Sequence, residues 1–165
     1  MKKLLIAFAL VLVCLTGNAQ TIDKLFETFK GKPGADYVPL SKELIQMAMG
    51  MATKDSDDKE ETDKMLEILK QIDSLNVLDI EETSDEVKKE FIDMAGKLEM
   101  KDYEQVANIN DDDEQVLIYG KKINKKETFS EVVIMVLDPK EPTLIQIKGN
   151  IDPENIGTIF QMNKN

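Results

Sequence analysis

The chain has 165 residues, and its 21 basic residues, all of them lysine, stand against 32 acids for a formal charge of −11. It has no histidine, arginine or tryptophan, and a single cysteine, Cys14. That inventory excludes a Ser-His-Asp or Cys-His constellation, a histidine-ligated metal and a bidentate arginine clamp, and so acidic a chain is repelled by nucleic acid and anionic lipid.

Residues 1–19 read as a signal peptide. Met1, Lys2 and Lys3 form a positive start, and residues 4–15 form an apolar stretch too short to span a bilayer. Gly17-Asn18-Ala19 puts small residues at both recognition positions, so cleavage is expected between Ala19 and Gln20. Two alternatives stand beside export to the periplasm. The uncleaved segment would be an N-terminal membrane anchor, and a lipidated Cys14 would tether an outer-membrane-associated lipoprotein. Val13 is a poor residue before a lipidated cysteine. Cleavage after Ala19 leaves no cysteine, hence no disulfide, thiolate nucleophile or thiolate zinc site. Removing Lys2 and Lys3 leaves 19 lysines against 32 acids, a charge of −13. Residues 20–165 suit one domain with a real core.

Ile22, Leu25, Phe26 and Phe29 recur at helical spacing behind Thr21, a suitable N-cap, and Gly31 to Gly34 stop the helix. Residues 37–40 run extended before and through Pro39. Ser41 can cap a helix over 42–52. Its Met47, Met49 and Met51 are spaced by two and share no helical face, which fits either a buried helix with methionine as filler or a methionine-lined groove. Residues 53–63 are a polar, acid-rich linker running into an amphipathic helix with Met65, Ile68, Leu69 and Ile72. Residues 75–80 read as a strand. Thr83 and Glu86 have capping-box spacing for a helix over 85–98, with Gly96 inside it.

Residues 103–149 read as a four-strand meander: 103–109, 115–121, 128–137 and 143–149. Asn110 to Asp113, Asn124-Lys125 and Asp138-Pro139 mark its turns. Asp152-Pro153 opens a last short helix, docked by Ile156, Ile159 and Phe160. The fold class is therefore α+β: an antiparallel sheet of four to five strands covered by four to five helices.

No residue is assigned a catalytic, cofactor or metal role. Asp111-Asp112-Asp113-Glu114 and Asp55, Asp57 and Asp58 lack the calcium-loop pattern and read as solvated turn and linker acids. The lysine tip of Lys121, Lys122, Lys125 and Lys126 reads as a soluble hairpin end, with contact to an acidic partner or glycan as the alternative. On the third strand Glu131, Val133, Met135 and Leu137 share one face, and Val132, Ile134 and Val136 the other. Both faces of the sheet are thus apolar. Either the helices divide between them or one face awaits a partner, a ligand or a second copy. The candidate surface is Val132, Ile134 and Val136, with Met47, Met49 and Met51.

Three segments carry a resemblance to a known family: Ile72 to Leu78 (IDSLNVL), Val116 to Lys121 (VLIYGK) and Ile147 to Asp152 (IKGNID). With the signal peptide and the early phenylalanine-containing helix, they resemble the domain-of-unknown-function family 4252, small exported proteins of Gram-negative bacteria. The resemblance covers most of the mature chain. It implies no activity and no catalytic residues. Many members look like lipoproteins, a pattern from which Val13 departs, and members are often encoded near extracytoplasmic-function sigma factors, so the resemblance implies an envelope-stress setting. The expectation is a non-enzymatic envelope protein that binds another protein or itself. A carrier of a lipid or other apolar ligand is the first alternative, and a hydrolase using two carboxylates the second.

Overall fold

The computed structural model describes residues 21–55, 59–123 and 127–156. The signal segment with Cys14, Ala19 and Gln20, the lysines at 125 and 126, and residues 157–165 with Ile159 and Phe160 lie outside the described residues. So do the side chains of 51–62 and 64, Met51 among them.

Helix α1 (Ile22–Phe29) forms where its stripe lies, and all four stripe residues are buried. Thr21 caps it, its side-chain oxygen accepting from the Lys24 amide at 3.2 Å. Gly34 then turns the chain with a φ of +83°, at a place where a Cβ would sit 2.1 Å from the Glu82 carbonyl oxygen. Only glycine satisfies both demands. Strand β1 (Asp36–Ser41) follows, with Pro39 inside it. Helices α2 (Lys42–Asp55) and α3 (Lys59–Lys70) come next, then β2 (Ile72–Asp79) and α4 (Asp85–Ala95). The meander is β3 (Glu104–Asp111), β4 (Glu114–Lys122), β5 (Phe129–Leu137) and β6 (Thr143–Ile151). A further helical turn opens at 153–156 under the Asp152 carboxylate, which accepts from the Glu154 amide at 3.0 Å.

All six strands form one antiparallel sheet in the order β1-β2-β6-β5-β4-β3. The expectation of four to five strands falls short. The stretch around Pro39 is a full edge strand, which a proline tolerates because only its outer side lacks a partner. The acid-rich linker is also shorter than expected. Asp55 still belongs to α2, and Lys59 already begins α3, whose first turns carry the acids that favour a helix N-terminus.

The capping box is displaced. Thr83 turns inward and donates to the Ile80 carbonyl at 2.8 Å, leaving Ser84 as N-cap. The Glu86 carboxylate takes hydrogen bonds from its own amide and the Ser84 hydroxyl, which hold it below the usual carboxylate range. Gly96 is the C-cap of α4 rather than an interior residue.

The helices divide between the two faces. Ile22, Leu25, Phe26 and Phe29 of α1, with Phe91 and Ala95 of α4, cover Leu78, Leu117, Val133, Met135 and Leu144. On the opposite face Ile45 of α2 joins Ile72, Ile118, Val132, Ile134, Ile147 and Ile151, and Ile156 closes this second core. The alternation along β5 sends Val133 and Met135 to one core and Val132 and Ile134 to the other. That is why the strand is apolar throughout.

Candidate functional site

On the α1/α4 face a line of polar side chains crosses four strands. Asn76 of β2 lies directly opposite Gln146 of β6, and Lys148 of β6 opposite Glu131 of β5. The Gln146 amide is buried, 3% exposed. Its Nε2 donates to Glu131 Oε1 at 2.7 Å, and its Oε1 accepts from Asn76 Nδ2 at 3.0 Å. Asn76 Oδ1 in turn accepts from the Tyr37 hydroxyl on β1 at 3.3 Å. Each amide thus uses a donor or acceptor on both sides, which offsets the cost of taking it out of water.

The line ends in a hollow of about 270 Å³ lined by Thr21, Ile22, Asp23, Glu99, Met100, Asp102, Tyr103, Lys121 and Glu131. Tyr103 is its central group. Its hydroxyl is hydrogen-bonded to the Glu131 carboxylate, and the Lys121 ammonium lies 5.4 Å from its ring centroid. Burial first, then the charges of Glu131, Asp23 and Asp102, push the phenol far above its ordinary value. Tyr103 therefore remains protonated at neutral pH and is a hydrogen-bond donor, not a phenolate base or nucleophile. Among the described residues no group of three or more histidine, cysteine or acidic side chains could hold a metal.

The raised phenol sets a pH dependence. An unfolded tyrosine ionises near pH ~10 and the folded Tyr103 only well above it, so its contribution is complete below about pH 10 and is lost as pH rises further. Tyr103→Phe is expected to cost about 1 kcal/mol at pH 8, the worth of one hydrogen bond, and to flatten the alkaline loss of stability. Urea unfolding at pH 8, 10 and 11 measures both. Parallel alkaline slopes in the two proteins would remove the assigned cause.

The opposite face carries an apolar row through every strand in register: Ala107, Ile118, Ile134, Ile145, Val77 and Val38. Its middle is buried and its β1 end is open, with Val38 41% exposed. Of the candidate surface read from sequence, Val132 and Ile134 are core residues, at 0% and 2% exposure, and only Val136 stays half-open. The reason is that Ile45, Ile147 and Ile156 pack in the same cluster. The methionines of α2 do not converge. Met49 packs against this core while Met47 is 56% exposed, and the Met51 side chain is outside the described residues. Neither described hollow includes them. The second, about 410 Å³, is lined by Glu86, Lys89, Glu90, Asp93 and Met94 of α4 and by Lys97 just beyond its C-cap.

The two sheet edges differ. β1 contains Pro39 and leads straight into α2. β3 contains neither proline nor lysine, and seven of its eight residues are exposed, Val106 and Ile109 at 40% and 43%. A strand that pairs on one side only leaves a row of backbone donors and acceptors open on the other. Sequence reasoning placed β3 in the meander but gave no strand order, so its position at the edge was missed. The signal was present in a polar strand with isolated apolar residues.

Residues 29–159 match the family described as Domain of unknown function (DUF4252), and the chain belongs to that family. No curated protein and no solved structure matches it. Among the described residues no helix is long and apolar enough to cross a membrane.

Proposed function

We propose that this member of the DUF4252 family is an exported envelope protein that works by binding another protein, not by catalysis. The observation that carries the reading is the open β3 edge with Val106 and Ile109 exposed beside it. Exposed β-branched residues on an edge that lacks proline and lysine are a recognition feature, because an open strand edge pairs readily with another chain. Export rests on the sequence of residues 1–19. A mass corresponding to residues 20–165 in protein from its native host supports it, and an acylated Cys14 would replace it with a membrane-tethered form.

Binding is tested by photo-crosslinking in the native host. A crosslinking residue at Val106 is expected to capture a discrete protein, and the same residue at Lys89, on the exposed side of α4, is not. Equal capture at both positions, or none at Val106, overturns the reading. A non-covalent apolar adduct in the native mass spectrum, lost on denaturation, would instead favour the carrier of an apolar ligand.

A further inference from the structure

We infer that β3 takes an extended segment of its partner as a seventh, antiparallel strand, and that this segment carries lysine or arginine at its N-terminal end. This rests on the proposed protein-binding role and names the chemistry of the partner.

The geometry limits where pairing can occur. A register irregularity lies between Gln105 and Ala107, so the regular part of the edge is residues 107–111. There Ala107 and Ile109 lie opposite Ile118 and Val116, which are buried on the second face. An added strand would therefore set one apolar side chain beside Ile109 and extend the cross-sheet row by a strand. Backbone pairing supplies affinity in this mode, and the alternate side chains supply selectivity.

Charge sets the class of the partner, and antiparallel addition to a sheet that is antiparallel throughout sets which of its ends is basic. At the N-terminal end of β3 the Glu104 carboxylate is already paired with Lys122 at 2.5 Å. At the other end Asp111, Asp112, Asp113 and Glu114 are consecutive, and no described ion pair reaches them. Asp112 adopts a φ of +46°, which turns β3 tightly into β4 and holds the four acids at one corner of the sheet. An antiparallel partner places its own N-terminal residues at that corner. A second copy of the chain fits poorly. Pairing two 107–111 segments about Ile109 sets Ala107, not a cation, against Asp111 at both ends, and each exported chain, with 19 lysines against 32 acids, carries −13.

The test uses the exported protein from its native host and short peptides of alternating threonine and valine. One peptide has two lysines at its N-terminal end, one has them at its C-terminal end, and one has the N-terminal lysines with N-methylated backbone amides. The readouts are affinity at low salt and amide hydrogen exchange across β3. The N-terminal-lysine peptide is expected to slow exchange within residues 107–111 and to bind about tenfold more tightly than the C-terminal-lysine peptide, the worth of two exposed ion pairs. N-methylation is expected to abolish binding.

Absence of protection in β3 with the first peptide overturns strand addition, as does unchanged binding by the N-methylated one. Equal affinity of the two lysine peptides overturns the assigned direction. Failure here with a protein still captured at Val106 refutes only the mode of binding. Loss of capture refutes the function beneath it, and capture of a second copy of this chain refutes the basic partner.

Discussion

Phe29→Ala is expected to destabilise the fold by about 3–5 kcal/mol, the range for truncating a fully buried phenylalanine where neighbours cannot collapse into the space. Phe29 has no solvent exposure, and its ring meets Phe91 edge-to-face, centroids 5.3 Å apart at 83°. That contact joins the last turn of α1 to the middle of α4, so the two helices covering this face of the sheet share one aromatic hinge. Both rings are held from behind: Leu25 and Leu78 are equally buried in the same cluster, and Gly34 is locked against the Glu82 carbonyl. Relaxation is therefore limited and the cavity remains. Urea unfolding should show a lower midpoint with an unchanged slope. The Phe29→Ala, Phe91→Ala double mutant should lose less than the sum of the single losses, by about 0.5–1.5 kcal/mol for the ring pair. Leu44→Ala, at a position 44% exposed, is the control and should change little. A loss below about 1 kcal/mol for Phe29→Ala would mean that α1 does not depend on this contact.

The parts legible in the sequence were those set by local periodicity. The α1 stripe and its Thr21 cap follow from spacing alone, and the two faces of β5 follow from the alternation of side chains along a strand. The Asp138 turn was equally local, its carboxylate accepting from the Lys140 amide at 2.6 Å. What the sequence did not reveal depends on pairing at a distance. β6 closes onto β2 across some 70 residues, and the apolar alternation of either strand does not name the other. The preference of the residue before Pro39 gives an extended stretch but not its pairing, and edge position is what lets a strand contain a proline. The capping box slipped by one residue because the Thr83 hydroxyl found a carbonyl at Ile80, a contact made only once the chain had turned.

The polar line across the first face is the most instructive omission. Glu131, Gln146 and Asn76 each occupy the core phase of an otherwise apolar alternation, in step with Val133, Leu144 and Leu78. A polar residue in core phase must find a partner there, and three such residues in separate strands point to one another. That reasoning was available from sequence and would have placed β2, β6 and β5 side by side.

Gly149→Ala is expected to be severely damaging for so small a substitution, with a loss above about 3 kcal/mol and a fall in Tm of roughly 6–12 °C for a domain of this size. A Cβ at Gly149 would lie 2.0 Å from the Gln71 carbonyl oxygen and 3.1 Å from Ile72 Cα. Both are backbone atoms, so no side-chain rotation relieves the overlap, and β6 must move away from β2. The site tolerates no such shift. Gly149 pairs with Ile72 at the point where the register changes toward Ser74, and the next amide, Asn150, donates to the same Gln71 oxygen at 2.9 Å. The Gln71 side chain adds a bond from the Asp152 amide at 3.0 Å, so the start of β2, the end of β6 and the following helical turn meet at one residue. Gly31→Ala is the matched control, since a Cβ there meets nothing within 4 Å. It should be neutral or slightly stabilising through reduced freedom of the unfolded chain. If Gly149→Ala melted within a degree or two of Gly31→Ala, the close approach of β6 to Gln71 would not be the feature that joins the N-terminal strands to the meander. The glycine in the Ile147–Asp152 segment would then need another reason.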